Sequence, residues 1–203
     1  LIFTCIKYRG IFRNKQIVKS TIFSQCFAEP FSGKPPAAGK NKIQFQVSAM
    51  KAIIRKFRKK DVEEILPVIM QYREHHHKIV VDESIVTSTR EVLMSMIEHK
   101  DSFVYVAEDN GKIVGYMVIH YCPFPLLGSN EIYVTDLVIL PEYRSKGIGN
   151  ALIQKAVETG HEMKCKRLML NNNKSAESYI RQFYHKCKFD ERTGFANFVY
   201  NLE

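Results

Sequence analysis

The 203-residue chain lacks any apolar run approaching about 18 residues, which argues against a membrane-spanning helix. It also lacks paired cysteine spacing. Cys5, Cys26, Cys122, Cys165 and Cys187 are scattered, odd in number, and form no C-x-x-C pair. That pattern excludes a disulfide framework and a zinc site as first readings and points to a reducing, cytoplasmic compartment. With 10 glycines and 7 prolines the chain is neither collagen-like nor low-complexity, and it has no internal repeat. Acids are almost missing from one end. Residues 1–49 hold Glu29 alone against Lys7, Arg9, Arg13, Lys15, Lys19, Lys34, Lys40 and Lys42.

What is present is globular. Hydrophobic residues make up 45% of the chain, enough for one domain with a core. The first 49 residues carry +7 of the formal net charge of +9, so residues 50–203 are nearly balanced. A nucleic-acid partner is therefore not expected for the domain, and neither is a membrane. Residues 1–49, ending in the Pro/Gly/Ala/Lys stretch Pro30–Lys42, read as a basic leader. It is expected to be a disordered tail, an organelle transit peptide, or a segment foreign to a chain that starts at Met50. Residues 50–203 are expected to form the functional domain.

Hydrophobic periodicity in that domain predicts a strand at Ala52–Phe57 and a helix opened by Lys60–Asp61, with Asp61 as its N-cap. A helix at Ser88–His99 follows, then a strand at Phe103–Glu108, a turn at Asp109–Lys112 and a strand at Ile113–Tyr121. Cys122–Asn130 reads as a loop and Glu131–Leu140 as a strand. After it come a helix at Ile148–Met163, a strand at Arg167–Leu170, a helix at Ser175–Lys186 and a last strand at Phe195–Leu202. The order implies a mixed α/β (α+β) fold with a meander at its centre.

The stretch from Asp136 to Leu152 carries the chemistry. A strand runs into Pro141-Glu-Tyr-Arg144-Ser145-Lys146-Gly147-Ile148-Gly149-Asn150, and a helix follows. Glycine lets the backbone approach a ligand closely, and a helix start offers unpaired N–H groups and partial positive charge. Together they suit a pyrophosphate, with Arg144 and Lys146 adding charge. A P-loop sequence is absent, and Leu152 stands where a dinucleotide fingerprint needs a third small residue.

Arg144-x-x-Gly147-x-Gly149 after a strand and Pro-Glu-Tyr resembles the acetyl-CoA motif of the GNAT family of N-acetyltransferases. Phe183-Tyr184-His185-Lys186-Cys187-Lys188-Phe189 is similar to a second segment of that family. The resemblance spans about residues 52–202. Within the family, the loop Tyr121–Gly128 and Tyr133–Asp136 look most like the small-molecule amine, diamine-like branch. It implies a mostly antiparallel sheet flanked by helices, with central strands that splay apart. It also implies acetyl-CoA as cosubstrate, no metal, and a homodimer by analogy. The backbone of Leu137, Val138 and Ile139 would hold the pantetheine arm, the Ile139 N–H would polarise the thioester carbonyl, and Arg144 to Asn150 would hold the pyrophosphate. Asn173 is carried over as a further cofactor contact, against a reading as a loop polar group.

A primary amine near pKa 10.4 must lose a proton before it attacks. The first candidate base is Asp136 and the second is Glu131, acting through water. Thr135 stands where the family often has a glutamate. Strict alternation would place Glu131 and Asp136 on opposite faces, so a bulge is required for both to reach one site. Tyr184 is the expected general acid for the leaving thiolate, against a reading as a core aromatic. Lys188 replaces a family glycine, so the turn there is expected to differ. His75-His76-His77 reads as a solvated helix end rather than a metal site. The expected activity is acetyl transfer to the primary amine of a small molecule, by direct attack in a ternary complex. Residues Cys122–Gly128 would shape the acceptor pocket. The alternatives are a protein or peptide lysine or N-terminal acetyltransferase, or an acyl-CoA-binding module without turnover.

Overall fold

The computed structural model describes residues 52–77 and 80–202, with His76 and His77 described by backbone alone. The leader 1–49 lies outside the described residues. Among the described residues, 52–191 belong to one compact unit and 192–202 to a second.

The larger unit is built on one five-stranded sheet in sequence order. Its strands are β1 (Ile53–Lys56), β2 (Ser102–Asp109), β3 (Lys112–Phe124), β4 (Ser129–Ile139) and β5 (Arg167–Leu170). β1 to β4 pair antiparallel, and β5 pairs parallel with β4. β2 and β3 are joined by a tight turn in which Asn110 and Gly111 both take positive φ, as the Asp-Asn-Gly-Lys sequence requires.

Helices cover both faces. α1 (Val62–Tyr72) and α2 (Glu83–Glu98) bury Val62, Ile65, Leu66, Val68, Met70 and Leu93 against Val104, Val106, Tyr116, Val118 and Val138. α3 (Ile148–Glu162) buries Ile148, Leu152, Ile153 and Ala156 against Tyr105, Met117, Ile119, Ile132 and Val134 on the opposite face. Each strand divides its side chains between two cores by the period-2 rule. The smaller helices α4 (Glu177–Ile180) and α5 (Phe183–Lys186) follow β5. No helix among the described residues is long and apolar enough to cross a membrane.

Several expected boundaries move. α2 starts five residues before the predicted Ser88, because the Asp82 carboxylate caps it by accepting the Ile85 N–H at 2.9 Å. The expected Cys122–Asn130 loop shrinks to a short turn at Pro125–Gly128. Cys122, Pro123 and Phe124 continue the ladder with Glu131, Asn130 and Ser129, and Gly128 supplies the left-handed corner. The single helix expected over Ser175–Lys186 is two, since Gln182 adopts φ +55° between α4 and α5. Asp61 holds the N-cap position of α1, but its side chain makes no cap hydrogen bond there. Its carboxylate is buried and accepts both Arg55 Nη1 at 2.7 Å and Arg55 Nη2 at 3.0 Å, with the Arg58 N–H at 2.7 Å.

In the second unit, residues 192–202 hold neither helix nor strand. The strand predicted at Phe195–Leu202 is therefore absent. Phe198, Val199, Tyr200 and Leu202 stay exposed. Aromatic and β-branched residues favour strands only where a neighbouring strand completes the ladder, and no ladder among the described residues includes these.

Candidate active site

The sheet opens between β4 and β5. The two strands pair only over Glu131–Val134 and Arg167–Leu170, whereas β3 keeps β4 company to Ile139. From Thr135 onward β4 has one neighbour among the described residues. Leu140 N–H donates to Val114 O at 3.0 Å, toward β3. Backbone groups of an antiparallel strand alternate sides, so those of Leu137 and Ile139 face the gap. The Ile139 carbonyl confirms the direction by accepting Arg144 Nε at 3.1 Å. The side chains of Leu137 and Ile139 pack against the α3 core, leaving their backbone as the polar resource.

At Thr135 the ladder slips. Val118 pairs with Asp136 and Ile119 with Val134, and Thr135 has no partner. This bulge reverses the alternation: Ile132 and Val134 join the α3 core, but Val138 joins the α1/α2 core. Glu131 and Asp136 thereby come to the same face, as the sequence argument required. They are not equivalent there. Glu131 is held by Arg167 Nε at 2.7 Å, across the β4–β5 pair. Asp136 is half-buried, and its charge, after burial itself, helps to raise the pKa of the Tyr116 hydroxyl.

The gap ends at α3. Gly147, at φ +84°, is its N-cap, and Ser145 takes φ +60°. Ser145, Lys146, Gly147 and Asn150 are exposed, and the Ile148 side chain is buried, so Ile148 offers backbone alone. Gly149 leaves little room for a side chain. A Cβ there would lie 3.0 Å from Phe183 Cζ and 3.1 Å from Ile139 Cδ1. That close approach seats the helix start on the end of β4. Arg181 reaches in beside Ser145, with Nη1 3.4 Å from its Oγ, and the buried Arg181 Nε has no partner among the described residues. A shallow cleft lies alongside, lined by Val68, Gln71, Tyr72 and His75 of one wall and Val138 to Pro141 and Arg144 of the other. His75 belongs to a π-helical turn, Arg73–His77, that ends α1.

Tyr184 stands on α5, edge-on to Phe183 at 4.9 Å and to Phe189 at 5.9 Å between ring centroids. Burial pushes its hydroxyl up to about 12; Cys187 and Tyr72 add to the shift and Arg181 opposes it. Lys188 takes φ +67°, in the left-handed region that favours glycine. Lys188 N–H donates to His185 O at 2.9 Å and Phe189 N–H to Tyr184 O at 3.0 Å, which closes the end of α5.

Asn173 is engaged in its own loop: its carboxamide oxygen accepts Ser175 N–H at 2.9 Å and Ser175 Oγ at 2.8 Å. Sequence reasoning missed Arg181 beside the helix start. It also missed His120, which pairs with Tyr133 one step from the bulge. Only the strand register brings these residues together.

Residues 69–189, more than half of the chain, match the profile of the "Acetyltransferase (GNAT) family". The chain belongs to this family of acetyltransferases. It is similar to YhfO of Bacillus subtilis, an uncharacterised N-acetyltransferase, at 28% identity over 153 residues, 73% of this chain and 97% of that protein. A shorter stretch of 58 residues is 36% identical to bovine thialysine N-epsilon-acetyltransferase and covers 29% of this chain and 34% of that protein. Among solved structures, a transcriptional regulator from Bacillus halodurans superposes with a TM-score of 0.65 at 19% identity, over 73% of this chain and 99% of that chain. That last likeness shows the GNAT fold alone. The chain is thus an enzyme of the acyl-transferring class, and acetyl-CoA is the cosubstrate of its family.

Proposed function

We propose that this GNAT protein transfers the acetyl group of acetyl-CoA to a primary amine of a small molecule by direct attack in a ternary complex. The observation that carries the proposal is the open side of β4. Its Leu137 and Ile139 backbone groups face a gap that runs into the start of α3. The Thr135 bulge interrupts the same strand, and Tyr184 packs against the core that the Leu137 and Ile139 side chains also join. The partial match to a thialysine acetyltransferase supports a small amine as acceptor.

The residues fit a coenzyme A pyrophosphate. Backbone N–H groups of Ser145 to Asn150 gather at a positive helix end, with Arg144, Lys146 and the buried Arg181 Nε nearby. The N–H groups of Leu137 and Ile139 would hold the pantetheine arm, whereas Val138, paired with Tyr116, turns its N–H toward β3 and offers none to the gap, contrary to the sequence expectation. Acetyl-CoA supplies an acetyl group activated as a thioester. The Ile139 N–H polarises its carbonyl and stabilises the developing oxyanion, a contribution of about 3 kcal/mol. Asp136 draws the acceptor ammonium to the bulge. Glu131, bound to Arg167, holds the base of the site together rather than taking a proton.

Tyr184 protonates the departing thiolate. A hydroxyl near 12 cannot simply surrender its proton to a thiolate near 8.5; that step alone is uphill by roughly 5 kcal/mol. The transfer is therefore coupled to the arrival of the amine's own proton at Tyr184, so no phenolate accumulates. Direct attack by the amine needs no protein nucleophile.

Free-thiol release by the full chain, supplied with acetyl-CoA and a panel of amines, tests the proposal. The panel holds thialysine, spermidine, an aminoglycoside and a lysine-containing peptide. Turnover with a small amine and none with the peptide is expected. Turnover with the peptide alone, or with no amine, overturns the proposed acceptor class.

A further inference from the structure

The bulge at Thr135 exposes a hydroxyl that has a histidine behind it. Thr135 Oγ1 lies 3.3 Å from His120 Nε2, and His120 Nδ1 lies 2.8 Å from Ser102 Oγ. The three residues come from adjacent strands, β4, β3 and β2, with Ser102 directly opposite His120 in the ladder. Thr135 is exposed and His120 is half-buried. The chain Thr135–His120–Ser102 thus runs from the open edge of the site into the sheet face under α1 and α2.

Resting on the acetyl-transfer reading, we infer that this chain is a proton relay: Thr135 meets the acceptor amine, and His120 behind it takes the proton. Ser102 Oγ accepts from Nδ1–H and so fixes the tautomer with a lone pair on Nε2. Thr135 Oγ1–H donates to that lone pair. The acceptor ammonium gives its proton to Thr135 Oγ1 as Thr135 passes its own to Nε2, leaving neutral amine and imidazolium. The amine nitrogen then bonds to the acetyl carbon and the carbon–sulfur bond breaks. The nitrogen's surplus proton reaches the sulfur through Tyr184, and the imidazolium returns its proton to water. One proton is released per turnover, as conversion of an ammonium to an amide requires.

The groups around the imidazole suit this task. Burial lowers its pKa, the Asp136 charge on β4 raises it, and His99 at the end of α2 lowers it; the balance is downward. His120 is accordingly neutral and able to accept at pH 7, and Asp136 steadies the imidazolium once formed. An imidazole is also better matched to neutral pH than a carboxylate. Glu131 is engaged by Arg167 and does not compete. In this scheme Thr135 touches the substrate, and His120 acts through it as a positioning and proton-holding residue.

The test combines kinetics with titration of the histidine. Thiol release with thialysine is followed from pH 5 to 9 for wild type, His120→Gln, Thr135→Ala and Thr135→Ser. Ring ¹⁵N shifts give the His120 titration, assigned by its loss in His120→Gln. For wild type and Thr135→Ser, log(kcat/KM) is expected to steepen below the pH at which His120 titrates, which lies under 6.5. For His120→Gln and Thr135→Ala that extra slope disappears and kcat falls about 10²-fold, with KM within threefold. A steepened limb that survives in His120→Gln, or a kcat within threefold of wild type, overturns the relay alone. No thiol release by wild type with any amine overturns the acetyl-transfer reading, and the relay with it.

Discussion

Tyr184→Phe removes one hydroxyl and little else. The ring keeps its edge-on contacts with Phe183 and Phe189, so stability should change by less than about 1 kcal/mol. Catalysis should change far more. Without the phenol the thiolate leaves unprotonated, and a positioned proton donor is worth about 10²- to 10⁴-fold, or roughly 3–5 kcal/mol. The pH profile adds a second signature. Because burial holds this hydroxyl near 12 rather than 10, no basic limb from Tyr184 should appear below about pH 11. The assay is kcat from free-thiol release with a saturating small amine, at pH 6 to 10.5, beside a thermal melt of both proteins. A drop of 10²-fold or more at unchanged Tm is expected. A kcat within threefold of wild type would refute the assignment, as would a wild-type basic limb near pH 10 that vanishes in the variant.

Three further outcomes follow from the fold. Gly115→Ala would place a Cβ 2.8 Å from the Val138 carbonyl oxygen, which is backbone and cannot swing away. It should destabilise by about 2–3 kcal/mol in denaturant titrations, more than Gly149→Ala, whose neighbours are the ends of the Phe183 and Ile139 side chains. Lys188→Gly relieves a left-handed φ and should raise Tm by roughly 2–4 °C. Burial alone would raise the Asp61 pKa, but the Arg55 hydrogen bonds, the Arg58 N–H and the Arg55 charge hold it below the ordinary range. Its contribution is therefore complete above about pH 4 and fades as pH falls toward the folded value. Asp61→Asn should destabilise by about 3 kcal/mol at pH 7, and the gap from wild type should narrow between pH 4 and pH 2 in urea titrations.

Residues whose roles are local were legible in the chain before any fold was known. Gly147 and Gly149 declare a helix start that must approach something closely, and β5 appears at its predicted Arg167–Leu170 because both ends are marked by polar neighbours. The need for a bulge followed from alternation, although its position at Thr135 did not. What stayed hidden depends on residues far apart in sequence. Asp61 looks like a helix cap until Arg55 is placed beside it. Lys188 stands in place of a family glycine, and only its φ shows the left-handed conformation there. His120 reads as an ordinary strand residue, because Ser102 and Thr135 meet it only through the register of three strands. The expected strand at Phe195–Leu202 fails for the reverse reason: local preference cannot supply a ladder partner.

The central claim is that coenzyme A lies along the open side of β4 with its pyrophosphate on the start of α3. Backbone ¹H–¹⁵N spectra of the full chain, recorded as coenzyme A is added, test it without any knowledge of the acceptor. The amides of Leu137, Ile139 and Ser145 to Asn150 should shift in a saturable, concerted way, and those of the Asp109–Lys112 turn should not. Saturable binding that leaves Leu137, Ile139 and the α3 start unmoved, or no binding at millimolar coenzyme A, would contradict the account.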